Sequence, residues 1–224
     1  NPEGSISIID MSNPKHPKHT EVGFSHLTYD ELSQEPGLKL NSDLEPASDL
    51  EPEYVAIDPS GDYAYVGMQE ANAIAKVDLQ AKKLIKVMGL GLKDHSKIEN
   101  AMDVSNKDGM INIRPWPVWG LYQPDSIVAY ETGGSTYIVG ANEGDAKDYD
   151  GYSEETRVGK LTLDKEHFQS PHWMQEERNL GRLKTTTEMG DIDGDGDFEK
   201  IYSYGGRSFS IWSEDGELVF DSGN

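Results

Sequence analysis

The chain has 224 residues with 41 acidic and 20 basic side chains, a formal net charge of −21, and no cysteine. A negative field of that size repels nucleic-acid phosphates and anionic lipid headgroups, and the missing thiols exclude disulfides, thiolate zinc sites and cysteine nucleophiles. Hydrophobic residues at 35% and aromatics at 9% suffice for a core, and no apolar run approaches the ~18 residues of a membrane span.

The chain opens "NPEGSISIID", without an initiating Met or a signal-peptide pattern, and reads as a mature product or an excised piece. Residues 1–24 alternate as the outer hairpin of a four-stranded sheet. Residues 33–52, "SQEPGLKLNSDLEPASDLEP", are rich in Pro, Ser and acid and predict a surface loop. Residues 53–91 parse into four strands, "YVAID", "YAYVGM", "AIAKVDL" and "KLIKVMGL", divided by Pro, Gly, Asn and Asp turns. Four antiparallel strands of that length make one blade of a β-propeller.

Residues 92–122 interrupt the pattern. They begin with "LKDHS", pass through the turn "DVSNKDG" and end in "INIRPWPVWGLYQP", an aromatic segment expected to pack as a rim loop on the blade tops. Residues 123–165 resume with a strand, a Gly-Gly turn and a strand, then the acidic "NEGDAKDYDGYSEE". A short helix is expected within 166–180. Residues 189–223 hold an acidic loop and the hairpin "FSIWSEDGELVFD".

The expected fold is therefore all-β: a β-propeller of four-stranded antiparallel blades, present as an incomplete segment of about three to four blades with long loop insertions. The segments are 1–24, 53–91, 123–165 and 189–223, within a single unit. A β-sandwich of short strands is the alternative. A ring begun on a half-blade would be completed by the remainder of a longer parent chain or by another subunit.

The sharpest motif is "DIDGDGDFE", residues 191–199. Asp191, Asp193 and Asp195 fall at positions 1, 3 and 5 of a calcium loop, Gly196 at 6, Asp197 at 7 and Glu199 at 9. Position 12 is Tyr202 rather than a bidentate Glu, and the following "KIYSYG" alternates as a strand, so the fit is to a loop between strands rather than an EF-hand. Five carboxylates in nine residues raise one another's pKa unless a cation sits among them. Hard oxygen donors favour Ca²⁺, with Mg²⁺ second, in a structural role.

Other acidic groupings are less patterned. Asp145, Asp148 and Asp150, with Glu143, Glu154 and Glu155 nearby, form either a second cation site or a solvated loop. Glu51 and Glu53 share one strand face just before the strand "YVAID", where a propeller opens on its axis. Asp94 and His95 read as a loop hydrogen bond more readily than as a dyad. There is no G-x-S-x-G elbow, P-loop or H-E-x-x-H.

Taken together, "NPEGSISIID", "DLEPEYVAI", "QEANAIAKVDL", "LGLKDHS", "WPVWGLYQPDSI", "ANEGDAKDYDGYSEE", "LGRLKTT", "DIDGDGDFEKIYSYGGRSFSIW" and "VFDSG" resemble, in the same order, the choice-of-anchor I family. That family includes cell-surface glycoproteins of biomineralising animals and secreted bacterial proteins, some labelled alkaline phosphatases. The resemblance implies an extracellular, secreted or surface-anchored, calcium-binding propeller, and marks Glu51, Glu53, Asp94, His95, Asn142, Glu143, Asp145 and the 191–199 loop as cation or active-site candidates. "LEPASDLEPE" departs from the family by partly duplicating the acidic motif. Two functions follow: a module for adhesion, matrix or mineral contact, or a metal-dependent phosphoesterase drawing on Glu51, Glu53, His95, Asn142, Glu143 and Asp145.

Overall fold

A computed structural model describes residues 2–223. The chain to Gly91 contributes β1 (Ser5–Asp10), β2 (Lys18–Gly23), the helical turns α1 (Tyr29–Leu32) and α2 (Pro46–Asp49), β3 (Tyr54–Ile57), β4 (Tyr63–Met68), β5 (Ala73–Asp78) and β6 (Lys83–Gly89). Four strands follow: β7 (Leu92–Asp94), β8 (Trp119–Leu121), β9 (Pro124–Thr132) and β10 (Ser135–Asn142). Then come β11 (Asp148–Tyr149), β12 (Tyr152–Ser153), β13 (Glu155–Arg157), the helical turn α3 (Pro171–Met174) and β14 (Lys184–Thr186). The last strands are β15 (Tyr202–Tyr204), β16 (Phe209–Ser213) and β17 (Leu218–Asp221).

These elements sort into two compact units, where the sequence predicted one. The first comprises the chain to Gly91, Gln123–Asn142 and Phe209–Asp221. Its first sheet runs β3-β4-β5-β6, the simple antiparallel order predicted for 53–91. β4 and β5 are buried on both faces, so they read as continuous apolar runs, whereas β3 is mostly exposed. The β4–β5 turn is set by Asn72, a buried non-glycine at φ 54°, a left-handed conformation that Asn tolerates well. Its amide nitrogen donates to the carbonyls of Gly37 and Gly91, each at 2.9 Å, and its Oδ1 accepts from the Gln123 amide at 3.0 Å.

The second sheet corrects the predicted boundaries. Segments 123–165 and 189–223 do not make two blades; each supplies half of one sheet, ordered β17-β16-β10-β9. Tyr137 of β10 lies opposite Ser213 of β16, and Ser210 opposite Asp221 of β17. The free edge of β10 is filled by a strand 67 positions further on (Asn142 to Phe209), and the intervening residues build other structure. Trp212 anchors the join, fully buried, its Nε1 donating to the Leu90 carbonyl at 3.2 Å. Strand β3 of the first sheet lies against β9 of the second. Among the described residues no propeller or barrel closes; the protein is all-β, with several antiparallel sheets and few helices.

Segment 33–52 is also corrected. Leu38, Leu40, Ala47 and Leu50 are buried in the first unit's core beside Phe24, Leu32, Val66, Met68 and Val77, so the acid-rich stretch is a core strap rather than a surface loop.

The second unit is built from what the sequence presented as insertions: Leu92–Tyr122, Glu143–Ser208 and the chain from Ser222. β8 lies between β7, antiparallel, and β15, parallel, with Trp119 opposite both Asp94 and Tyr202. β11 pairs with β12, and β13 with β14. The segment expected as a rim loop instead donates Trp116 and Val118 to this unit's own core, with Met102, Val158, Leu163, Phe168, Leu180 and Ile201. The helix expected within 166–180 is the single turn α3, with Pro171 at its first position.

Candidate metal centre

The loop 191–199 lies in the second unit between β14 and β15. Its ends are drawn together where the Glu199 and Lys200 amides donate to the Gly190 carbonyl, at 2.9 and 3.2 Å. Its interior is wound by Asp side chains accepting from backbone amides ahead of them. Asp191 receives Gly194 at 2.7 Å and Gly196 at 3.0 Å, Asp193 receives Asp195 at 3.3 Å, and Asp195 receives Asp197 at 3.1 Å. Gly194 and Gly196 stand at φ 77° and 96°, so glycine is the residue that fits there without strain. As the sequence predicted, the chain leaves the loop as a strand.

Glu199 organises the carboxylates. It is 9% exposed, and its Oε2 accepts from the Ile192 amide at 2.6 Å. It belongs to two trios whose oxygens lie within 4.8 Å of one another: Asp191, Asp193 and Glu199, and Asp164, Asp197 and Glu199. Four of the five predicted carboxylates are thus gathered; Asp195 belongs to neither trio. Asp164 was not foreseen. It arrives through a non-local bridge between Leu163 and Phe198, fixed by Phe198 N to Thr162 O at 2.9 Å and Asp164 N to Phe198 O at 3.1 Å. No motif around "LDKEH" announces it.

The electrostatics are those of crowded anions. Loss of hydration, then the charges of Asp195 and Asp164 and the proximity of Glu199, hold Asp197 above the ordinary carboxylate value. Asp197 Oδ1 is buried and accepts no hydrogen bond from any described residue. Asp164 is held below its ordinary value, chiefly by the His167 amide, which donates to it at 2.7 Å. Its neighbour His167 also brings Nδ1 to 3.2 Å from Asp164, an imidazole the sequence did not place here. The donor set of the two trios is carboxylate oxygen alone, the chemistry that hard divalent cations take.

The remaining candidates fall elsewhere. Asp145 accepts from the Ala146 amide at 2.8 Å, while Asp148 and Asp150 sit exposed on the small β11–β12 hairpin. Neither they nor Glu143 join a convergent trio among the described residues. Glu154 of the same loop is fully buried and structural, accepting from the Lys147 amide at 2.7 Å and from the Thr186 hydroxyl. Glu155 pairs with Lys184 at 2.6 Å.

Asp94 and His95 form no dyad. Asp94 accepts from the Ser96 hydroxyl at 2.5 Å, whereas His95 Nδ1 donates to the Asn100 carbonyl at 2.7 Å. His95 is buried, and its Nε2 faces Gly120 so closely that a Cβ there would lie 2.6 Å away. In the first unit, Glu51 is half-buried and Glu53 exposed, with the Glu53 amide donating to the Gly67 carbonyl at 3.0 Å. Asn142, also in that unit, donates to Ser210 Oγ at 2.7 Å and is part of the β10–β16 join.

One family model, described as the Choice-of-anchor I domain, matches residues 1–224. No curated protein matches the chain. Among solved structures, Kuenenia stuttgartiensis Hydrazine Synthase aligns at 17% identity and a TM-score of 0.20, over 77% of this chain and 37% of that one. The chain thus spans 37% of that protein's length, and a likeness this slight carries no argument.

Proposed function

The chain belongs to the choice-of-anchor I family, and from that premise we propose that it is a calcium-stabilised module serving adhesion, matrix or mineral contact. Membership of the family supports a secreted or cell-surface setting, and no described helix is long and apolar enough to cross a membrane.

The observation that carries the calcium reading is Glu199, a buried carboxylate shared by two acid trios, with the unpartnered Asp197 Oδ1 beside it. A buried anion costs several kcal/mol unless it is paired, and here the neighbours are further anions. A divalent ion among Asp164, Asp191, Asp193, Asp197 and Glu199 would turn that repulsion into cross-linking. Asp195, at the loop's apex, would complete or flank the set. Ca²⁺ suits it better than Mg²⁺, which retains its waters and takes fewer protein oxygens. The millimolar calcium outside cells fills loops of moderate affinity.

We read the two four-stranded sheets as propeller blades. Their simple strand order and the seating of β3 against β9 support this. Further blades would come from elsewhere in a parent protein or from another subunit. The phosphoesterase reading gains nothing from the site, since Glu143 and Asp145 stand outside both trios.

Thermal unfolding tests the calcium reading. At a calcium concentration ~100-fold above Kd, binding to the folded state alone adds about 2.7 kcal/mol, or about 5–10 °C in Tm for a chain of this size. Glu199→Gln should erase that rise. A Tm indifferent to calcium and chelator in the unmodified protein would overturn the reading.

A further inference from the structure

The second unit holds a second polar feature of opposite sign. A cavity of about 660 Å³ is lined by Arg157, Arg182, Lys184 and Arg207, with Asp103 its one acidic wall residue. In a chain where acids outnumber bases two to one, four cations around one cleft is the reverse of the overall field.

The manner in which the guanidiniums are held is more telling than their number. Arg207 donates through Nη1 to the Asp103 carbonyl at 2.7 Å, Arg157 through Nη1 to the Arg182 carbonyl, and Arg182 through Nε to Asn106 Oδ1 at 2.6 Å. These anchoring acceptors are neutral oxygens, which orient the three guanidiniums without offsetting their charge. The nearest carboxylate to any of them in an ion pair is Glu177, 3.9 Å from Arg182. Asp103 is itself occupied, accepting from the Ser105 amide at 3.4 Å and the Asn112 amide at 3.1 Å. Lys184 is paired more closely, with Glu155 at 2.6 Å. Each guanidinium has five N–H donors in a planar fork, so one anchoring bond leaves a face for an anion.

The backbone is shaped to the same end. Arg207 sits at φ 52°, a left-handed conformation in which a long side chain is uncommon, immediately after two glycines. Gly144, also in the lining, packs so closely on this segment that a Cβ would fall 2.1 Å from the Gly205 nitrogen.

We propose that this cleft binds a tetrahedral oxyanion, the phosphate or sulfate ester of a ligand whose body fills the rest of the cavity. Three guanidinium forks, carried on separate segments of the wall, suit a group with oxygens in several directions better than a planar carboxylate. The volume exceeds that of a bare ion and falls in the range of small-molecule sites. The proposal is independent of the calcium reading and is tested in its absence.

Isothermal titration in chelator at fixed ionic strength, with glucose 6-phosphate, glucose 6-sulfate and acetate, reads it directly. Saturable binding of a phosphate or sulfate ester is expected, weakened roughly tenfold or more by Arg207→Gln and by Arg182→Gln, each removing a charge-assisted bond. The tighter ester names the source. Arg207 is exposed, and Arg207→Lys, which keeps charge but loses the fork, should retain part of the affinity. No saturable binding of either ester would overturn the proposal, as would affinity unchanged in both Gln variants or acetate binding as tightly as the esters.

Discussion

At the scale of single residues, Glu199 and His95 show how burial selects a role. Glu199 is the member common to both acid trios, and Asp195 belongs to neither. Glu199→Gln should therefore abolish calcium-dependent stabilisation, while Asp195→Asn should cost less than half of it, both read as Tm differences between calcium and chelator. Equal losses would place the ion at the apex of the loop instead.

His95 is held below its usual value of 6.5, first by burial and then by the positive charges of Lys93 and Arg207, against the opposing pull of the Asn100 carbonyl. Its Nδ1 proton is spoken for, and a second proton on Nε2 would face Gly120 with no acceptor. A base with a depressed folded pKa contributes stability that is complete above the unfolded value and lost as pH falls through the folded one. Urea unfolding should thus show a loss between pH 7.5 and pH 5 that is smaller in His95→Gln. An identical slope in the two proteins would refute the assignment. Gly120→Ala, which drives a methyl into the same ring, should cost about 1–3 kcal/mol.

At the scale of elements, the join between the four-stranded sheets rests partly on Lys76 of β5. Its ammonium is almost buried, lies 4.8 Å from the Tyr63 ring centre and meets Glu214, in the β16–β17 turn, at 2.6 Å. Glu214 is 42% exposed, so solvent screens the pair. A double-mutant cycle of Lys76→Met and Glu214→Gln should give a coupling of about 1 kcal/mol, and a coupling near zero would show the contact to be incidental.

What the sequence discloses at this scale depends on distance along the chain. The strands of 53–91 are legible because alternation and turn residues are local, and all four lie where "YVAID" to "KLIKVMGL" put them. The partnership of β10 with β16 is not legible, since hairpin logic pairs each strand with its neighbour and nothing local reveals a strand borrowed across the second unit. The same limit hides Asp164, delivered by the Leu163–Phe198 bridge. Segment 33–52 misleads for another reason: its Pro, Ser and acid content masks Leu38, Leu40 and Leu50, which are buried although the stretch forms no strand. The "DIDGDGDFE" loop is legible because a cation loop writes its ligands and its glycines consecutively.

At the scale of the whole molecule, a net charge of −21 makes the protein a general attractor of cations, so binding alone is weak testimony and selectivity matters. Diffuse attraction is screened by salt and indifferent to which divalent ion is offered, whereas a caged site is neither. The direct measurement is calorimetric titration of the chelator-treated protein with calcium and with magnesium in moderate salt. A saturable site that takes calcium more tightly than magnesium, persists in salt and vanishes in Glu199→Gln is the predicted result. Featureless, salt-suppressed heats that are the same for both ions and unchanged by Glu199→Gln would contradict it.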